Sequence, residues 1–98
     1  MWRVYYWCGP KPEEALMTEG MAFLYGRSDP AGAADRFRKV LALNPTHYGA
    51  HYQLAVALDK LGDAKNARPL WEQVLRMAQQ YNDVATMNTA QTRLQKNP

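Results

Sequence analysis

His47 and His51 are the two histidines of the chain, four residues apart. On a helix that spacing sets two imidazoles on one face, where both can reach a single zinc ion. A zinc site needs three or four ligands, and no cysteine or carboxylate stands close enough in sequence to complete one. The pair therefore reads as surface or packing histidines, and no metal is expected. Ser28, the single serine, has no histidine at a useful spacing, and Cys8 is the single cysteine. The glycines are scattered as punctuation instead of gathered into a phosphate-cradling loop. Glu13-Glu14 suit the positive end of a helix dipole better than an acid–base pair. The expectation is no catalytic residue, no enzyme, no cofactor and no small-molecule substrate.

With 98 residues, 47% hydrophobic and 21% charged, the composition is that of one ordinary globular domain. No stretch approaches the roughly 18 apolar residues that would cross a bilayer. A net charge of +3 without a basic block argues only weakly for nucleic acid, which is not the expected partner. One cysteine cannot make an intramolecular disulfide, so packing alone must hold the fold.

After Pro12 apolar residues recur every three or four positions, and alternating or β-branched runs are missing. Asp29-Pro30 offers a cap followed by proline at the first helical position. Asn44-Pro45 ends a helix and Thr46 stands ready to cap the next, while Gly62-Asp63 supplies a left-handed stop and a fresh cap. The expected helices are Glu13–Arg27, Pro30–Leu43, Tyr48–Leu61, Ala64–Gln80 and Asp83–Gln95, with a mild bend at Pro69. The fold class expected is all-α.

The chain also resembles itself. At a lag of 34 residues Leu24 meets Leu58, Asp29 meets Asp63, Ala33 meets Ala67, and Phe37 meets Trp71. Val40 then meets Val74, Leu41 meets Leu75, and Leu43 meets Met77. Small, aromatic and aliphatic classes are kept, as a stacked helix-turn-helix repeat requires. Ala33 and Ala67 fit where two helices of a pair come closest. Phe37 and Trp71 fill the space between pairs, each burying area worth about 2–3 kcal/mol.

These residues resemble the tetratricopeptide repeat family. The second copy carries the resemblance in Leu54-Ala55, Leu58, Leu61-Gly62-Asp63, Ala67, Trp71 and Val74-Leu75, with Gln79 where the family closes on proline. The first carries it in Gly20-Met21, Asp29, Ala33, Phe37, Val40-Leu41 and Asn44-Pro45, with Ser28 replacing the turn glycine. The resemblance implies a right-handed stack of about five antiparallel helices. Residues 1–12 form an aromatic segment or tether, 13–81 two helix pairs, and 82–98 a capping helix and tail. The last helix breaks the register, with Thr89 and Thr92 at core positions. Its sparse apolar stripe is Val84, Met87, Ala90 or Gln91, and Leu94, as befits a polar-faced cap.

The family's groove is lined by the first helices of its pairs. Carried onto this chain, the groove residues are Thr18, Ala22, Tyr25, Tyr52, Gln53, Val56, Asp59 and Lys60. Glu19 and Gly49 fall at groove positions too, and Thr86 and Arg93 are further contributors. Tyr52 and Val56 stand where some relatives clamp a terminal carboxylate with Lys and Asn, so that function is not implied. An aromatic, apolar groove with charges at its lip suits a peptide or helix of a protein partner. Tyr25 and Tyr52 have the alternative of merely packing between helices. Arg36, Arg38, Lys39, Lys65 and Arg68 fall on second helices and read as a solvated outer face.

Trp2, Tyr5, Tyr6 and Trp7 precede the repeats, followed by Cys8. They can fold back over the first repeat, bind a partner, or sit at a membrane interface. Cys8-Gly9-Pro10-Lys11-Pro12 resembles the start of a lipid-bearing bacterial lipoprotein, although Tyr5-Tyr6-Trp7 do not match that family's cleavage motif. The stretch is too short for a secretory signal. Two functions follow: an adaptor binding protein in its groove, or a structural subunit of a larger, membrane-peripheral or self-assembled complex docked by its aromatic front end. Compartment and oligomeric state stay open.

Overall fold

The computed structural model describes residues 12–96. Five helices follow one another: α1 Pro12–Met21, continued by a π-wound turn over Ala22–Gly26, then α2 Pro30–Leu43, α3 Tyr48–Lys60, α4 Ala64–Gln80 and α5 Val84–Lys96. No strand occurs among the described residues. The close helix contacts join consecutive elements, α1 to α2, α2 to α3, α3 to α4 and α4 to α5. The result is an all-α, antiparallel stack of the kind the repeat predicts.

One device starts α2, α4 and α5. Asp29, Asp63 and Asp83 accept hydrogen bonds from the backbone N–H of Gly32, Asn66 and Thr86, satisfying donors that each helix start leaves open. The residue before each aspartate is left-handed: Ser28 at φ 53°, Gly62 at 78° and Asn82 at 55°. Ser28 thus adopts the conformation of the glycine it replaces. The first helix does not run regularly to Arg27 as expected. Its end winds wide, with the Arg27 N–H donating to the Ala22 carbonyl at 3.0 Å. The Asp29 N–H then reaches back to the Phe23 carbonyl at 2.7 Å.

The cap of α3 is a correction to the sequence reading. Thr46 bonds to the Asn44 side chain through its N–H and hydroxyl, and His47 caps instead, its Nδ1 accepting from the Ala50 N–H at 3.0 Å. The tight Asn44-Pro45-Thr46 turn leaves the imidazole, not the hydroxyl, beside the open amides. Pro69 sits exposed within α4, and the helix continues through it.

The core holds Leu24, Phe37, Leu54, Leu58, Trp71 and Val74 around the small residues Ala33, Ala34, Ala55, Ala57, Ala67 and Ala90. The members of the pairs Leu24/Leu58, Ala33/Ala67, Phe37/Trp71 and Val40/Val74 are all buried. Leu43 and Met77 diverge, 59% against 6% exposed, because Leu43 is the last residue of α2 whereas α4 runs on beyond Met77. That extra length also explains the lost register of α5. A lag of 34 from the His47 cap falls on Tyr81, yet the cap of α5 is Asp83. Core contact shifts to the buried Ala90, flanked by half-buried Met87 and Leu94, while Gln91 and Val84 face outward, Val84 60% exposed. Gly20 lies against Phe37 so tightly that a Cβ there would stand 2.5 Å from the ring edge.

Candidate functional site

The first helix of each pair, together with α5, lines one pocket of about 310 Å³. Tyr25 enters from the π-wound turn, Tyr52, Val56, Asp59 and Lys60 from α3, and Arg93 from α5. A π-wound end to a helix is uncommon and recurs near functional sites. Here it is the turn that carries Tyr25, whose hydroxyl donates to Gln53 Oε1 at 2.8 Å and so ties the first helix to the third. Burial, with the Tyr52 phenol nearby, pushes the Tyr25 hydroxyl above its ordinary pKa, so it is a hydrogen-bond donor throughout the neutral range.

Tyr52 meets Trp71 edge-on at 5.5 Å between ring centroids and so belongs to both pocket and core. Asp59 is more deeply held than a lip charge. Its Oδ2 accepts from the Trp71 indole N–H at 2.8 Å and pairs with Arg93 at 3.4 Å, and its side chain is 9% exposed. Arg93 lies 6.0 Å from the Trp71 ring centroid. Lys60 is exposed and makes no ion pair among the described residues.

The other expected groove residues lie outside this pocket's lining. Thr18 and Ala22 are exposed and do not line the pocket, and the Thr18 hydroxyl turns back on the Glu14 carbonyl. Gln53 supports Tyr25 from outside the lining. Gly49 packs by His47 and Met17, Glu19 bonds to Arg36 of α2, and Thr86 stands at the α5 cap. Trp2, Tyr5, Tyr6, Trp7 and Cys8 lie outside the described residues. Nothing in the sequence marked Arg93 as the partner of Asp59, because the two meet only through the shifted register of α5.

His47 and His51 turn to separate backbone partners. One ring caps α3, and the other places Nε2 2.8 Å from the Pro45 carbonyl, with its Nδ1 buried and unpartnered. Among the described residues no three His, Cys, Asp or Glu side chains gather. Three of the positive charges on the second helices are matched at home. Arg36 pairs with Glu19 and Asp35 and lies over Phe23 at 4.8 Å, Lys39 pairs with Asp35, and Arg68 pairs with Glu72. Arg38, Lys65 and Arg76 are exposed and make no ion pair among the described residues.

Comparison with known proteins agrees with this architecture. The family model described as tetratricopeptide repeat matches residues 24–94, from the buried Leu24 to the half-buried Leu94. The chain belongs to the tetratricopeptide repeat family. No curated protein and no solved structure gives a significant match. Tetratricopeptide repeats serve protein–protein interaction, and at that general level this one does too. The repeat fold is typically non-catalytic. No described helix is long and apolar enough to cross a membrane.

Proposed function

We propose that the chain is a non-enzymatic adaptor that holds a peptide or helix of a protein partner in the pocket between its first helices. One observation carries the reading: α1's π-wound end, α3 and α5 converge on a pocket in which two tyrosines and a valine stand beside charged groups. Tyr25 is 56% exposed although its hydroxyl is anchored, which makes it a large contact surface with little freedom to lose on binding. Val56 and Tyr52 supply apolar surface to the lining, and Lys60 and Arg93 supply charge. A pocket built from so few helices implies modest affinity, on the order of micromolar.

Photocrosslinking tests this directly. A photoreactive amino acid is placed at Tyr25 and, as control, at exposed Arg76 of α4, and the crosslinked species from the native source are compared. The expected result is a discrete protein adduct from position 25, absent from position 76 and lost on adding Lys60→Glu. Equal adducts from both positions would remove the pocket as the binding site. Circular dichroism of each variant separates lost binding from lost folding. Tyr52→Ala is a poor probe here, because it also strips an edge contact from Trp71.

A further inference from the structure

The two helix pairs are finished differently at one end. In the second pair, the end where α3 starts and α4 stops is closed: the Tyr48 ring packs on Tyr81, the Tyr48 hydroxyl bonds to Asp83, and Met77 is buried. The matching end of the first pair is open. A lag of 34 from Tyr48 falls on Glu14, exposed and with no ring to offer, and Leu43, the counterpart of Met77, is largely exposed. α2 stops at Leu43, so its own next turn gives no cover. Leu43 stands seven residues after Arg36, about two turns on along the same side of α2. Arg36 pairs with Glu19 of α1, and seven residues before Glu19 in that antiparallel helix is Pro12. Leu43 is therefore level with the first residue of α1, where residues 1–11 join the stack. Glu13, next in sequence, holds a carboxylate oxygen that is buried without a hydrogen-bond partner among the described residues. An uncovered aliphatic side chain and an orphaned acceptor thus occur at the same junction.

We propose that this junction is the docking site of the chain's own aromatic segment, Trp2 to Trp7. Its rings cover Leu43, as Tyr48 and Tyr81 close the second pair, and an indole N–H or phenol O–H donates to Glu13. Trp and Tyr are the side chains that join a large apolar face to a single hydrogen-bond donor. Residues 1–11, at up to about 3.5 Å per residue, have ample length to cross a helix pair whose axes are about 10 Å apart. One leucine and one carboxylate oxygen fall far short of the roughly 1,200 Å² by which a separate molecule is stably held. A tethered segment needs much less, because it is already present at high effective concentration. The junction lies at the opposite end of the first helix from Tyr25, so the inference stands apart from the pocket.

Acrylamide quenching of tryptophan fluorescence tests this on the full chain. Of the three tryptophans Trp71 is buried, so quenching reports Trp2 and Trp7. The expected result is weak quenching in the unaltered protein and stronger quenching in Leu43→Ser. Leu61→Ser, an exposed position at the other end of the stack, should leave quenching unchanged. Strong quenching in the unaltered protein, or quenching indifferent to Leu43→Ser, would overturn the inference and leave the rings for another partner. A urea double-mutant cycle adds an independent readout. Leu43→Ser should lower the midpoint in the unaltered chain but not in a variant with Trp2, Tyr5, Tyr6 and Trp7 all changed to serine. Equal shifts in both backgrounds would show that Leu43 is not covered by that segment. Protection of the tryptophans that fades on dilution would place the rings on a second copy, and the proposal then fails. Circular dichroism checks that each variant stays helical.

Discussion

Gly20 shows how finely single positions are set. It is buried in α1 facing the fully buried ring of Phe37, and an added methyl would meet two ring carbons at 2.5 and 2.8 Å. An aromatic ring at the centre of a packed core cannot step aside without displacing its neighbours. Gly20→Ala should therefore destabilise by about 1–3 kcal/mol, although alanine is the better helix former. Urea denaturation of Gly20→Ala, Phe37→Leu and the double variant checks this. The double should cost less than the sum of the singles, since shortening Phe37 makes room for the methyl. Simple additivity would show that the close approach is not what selects glycine. The self-comparison could not reveal this contact, because the 34-residue lag sets Gly20 against Leu54. The glycine answers to one ring, which only packing locates.

At the scale of elements, the turns are nearly identical in form and unequal in cost. Ser28, Gly62 and Asn82 all sit at positive φ before a capping aspartate, but only Gly62 adopts that conformation freely. Ser28→Gly should stabilise by about 0.5–1 kcal/mol, the relief of left-handed strain exceeding the added flexibility of the unfolded chain. Gly62→Ala should destabilise by about 1 kcal/mol, with no clash to blame, since the space around Gly62 is open. Thermal melts of the pair report both signs, and a fall in Tm for Ser28→Gly would refute the strain argument. The helices themselves were legible in sequence, because apolar spacing and Asp-Pro, Asn-Pro and Gly-Asp punctuation act locally. The π-wound end of the first helix was not, since Ala22-Phe23-Leu24-Tyr25-Gly26 reads equally well as regular helix and only docking onto α2 decides its winding. His47 escaped notice as a cap because imidazole caps rarely, whereas Thr46 beside it has the more familiar chemistry. Pocket residues on α3 could be carried over from the repeat, whereas where Tyr25 stands relative to Thr18 and Ala22 depends on how the first helix ends.

Across the whole molecule, the starts of α3 and α5 are joined far along the chain by one hydrogen bond. The Tyr48 hydroxyl donates to Asp83 Oδ2 at 2.9 Å, and the Tyr48 ring meets Tyr81 at 5.3 Å. The Thr86 hydroxyl, the Tyr48 hydroxyl and the Thr86 N–H hold the Asp83 carboxyl below its usual pKa. A carboxylate depressed on folding adds stability that is fully present above its unfolded pKa of about 3.9 and is lost as pH falls through the lower folded value. Stability should therefore decline on acidification below about pH 4. Asp83→Asn should flatten part of that decline in Tm measured against pH, and an unchanged slope would exclude Asp83 as a contributor.

Because the most extensive helix contacts run between successive elements, the stack also has a natural order of assembly. Each helix finds the surface it needs on the one made just before it, so little sequence must be searched before a contact forms, a topology associated with folding in microseconds to milliseconds. A ribosome releases about 5–20 residues per second, far slower than such docking. The two pairs can settle as they emerge, leaving α5, last to appear, to close over α4 and complete the wall on which Arg93 meets Asp59.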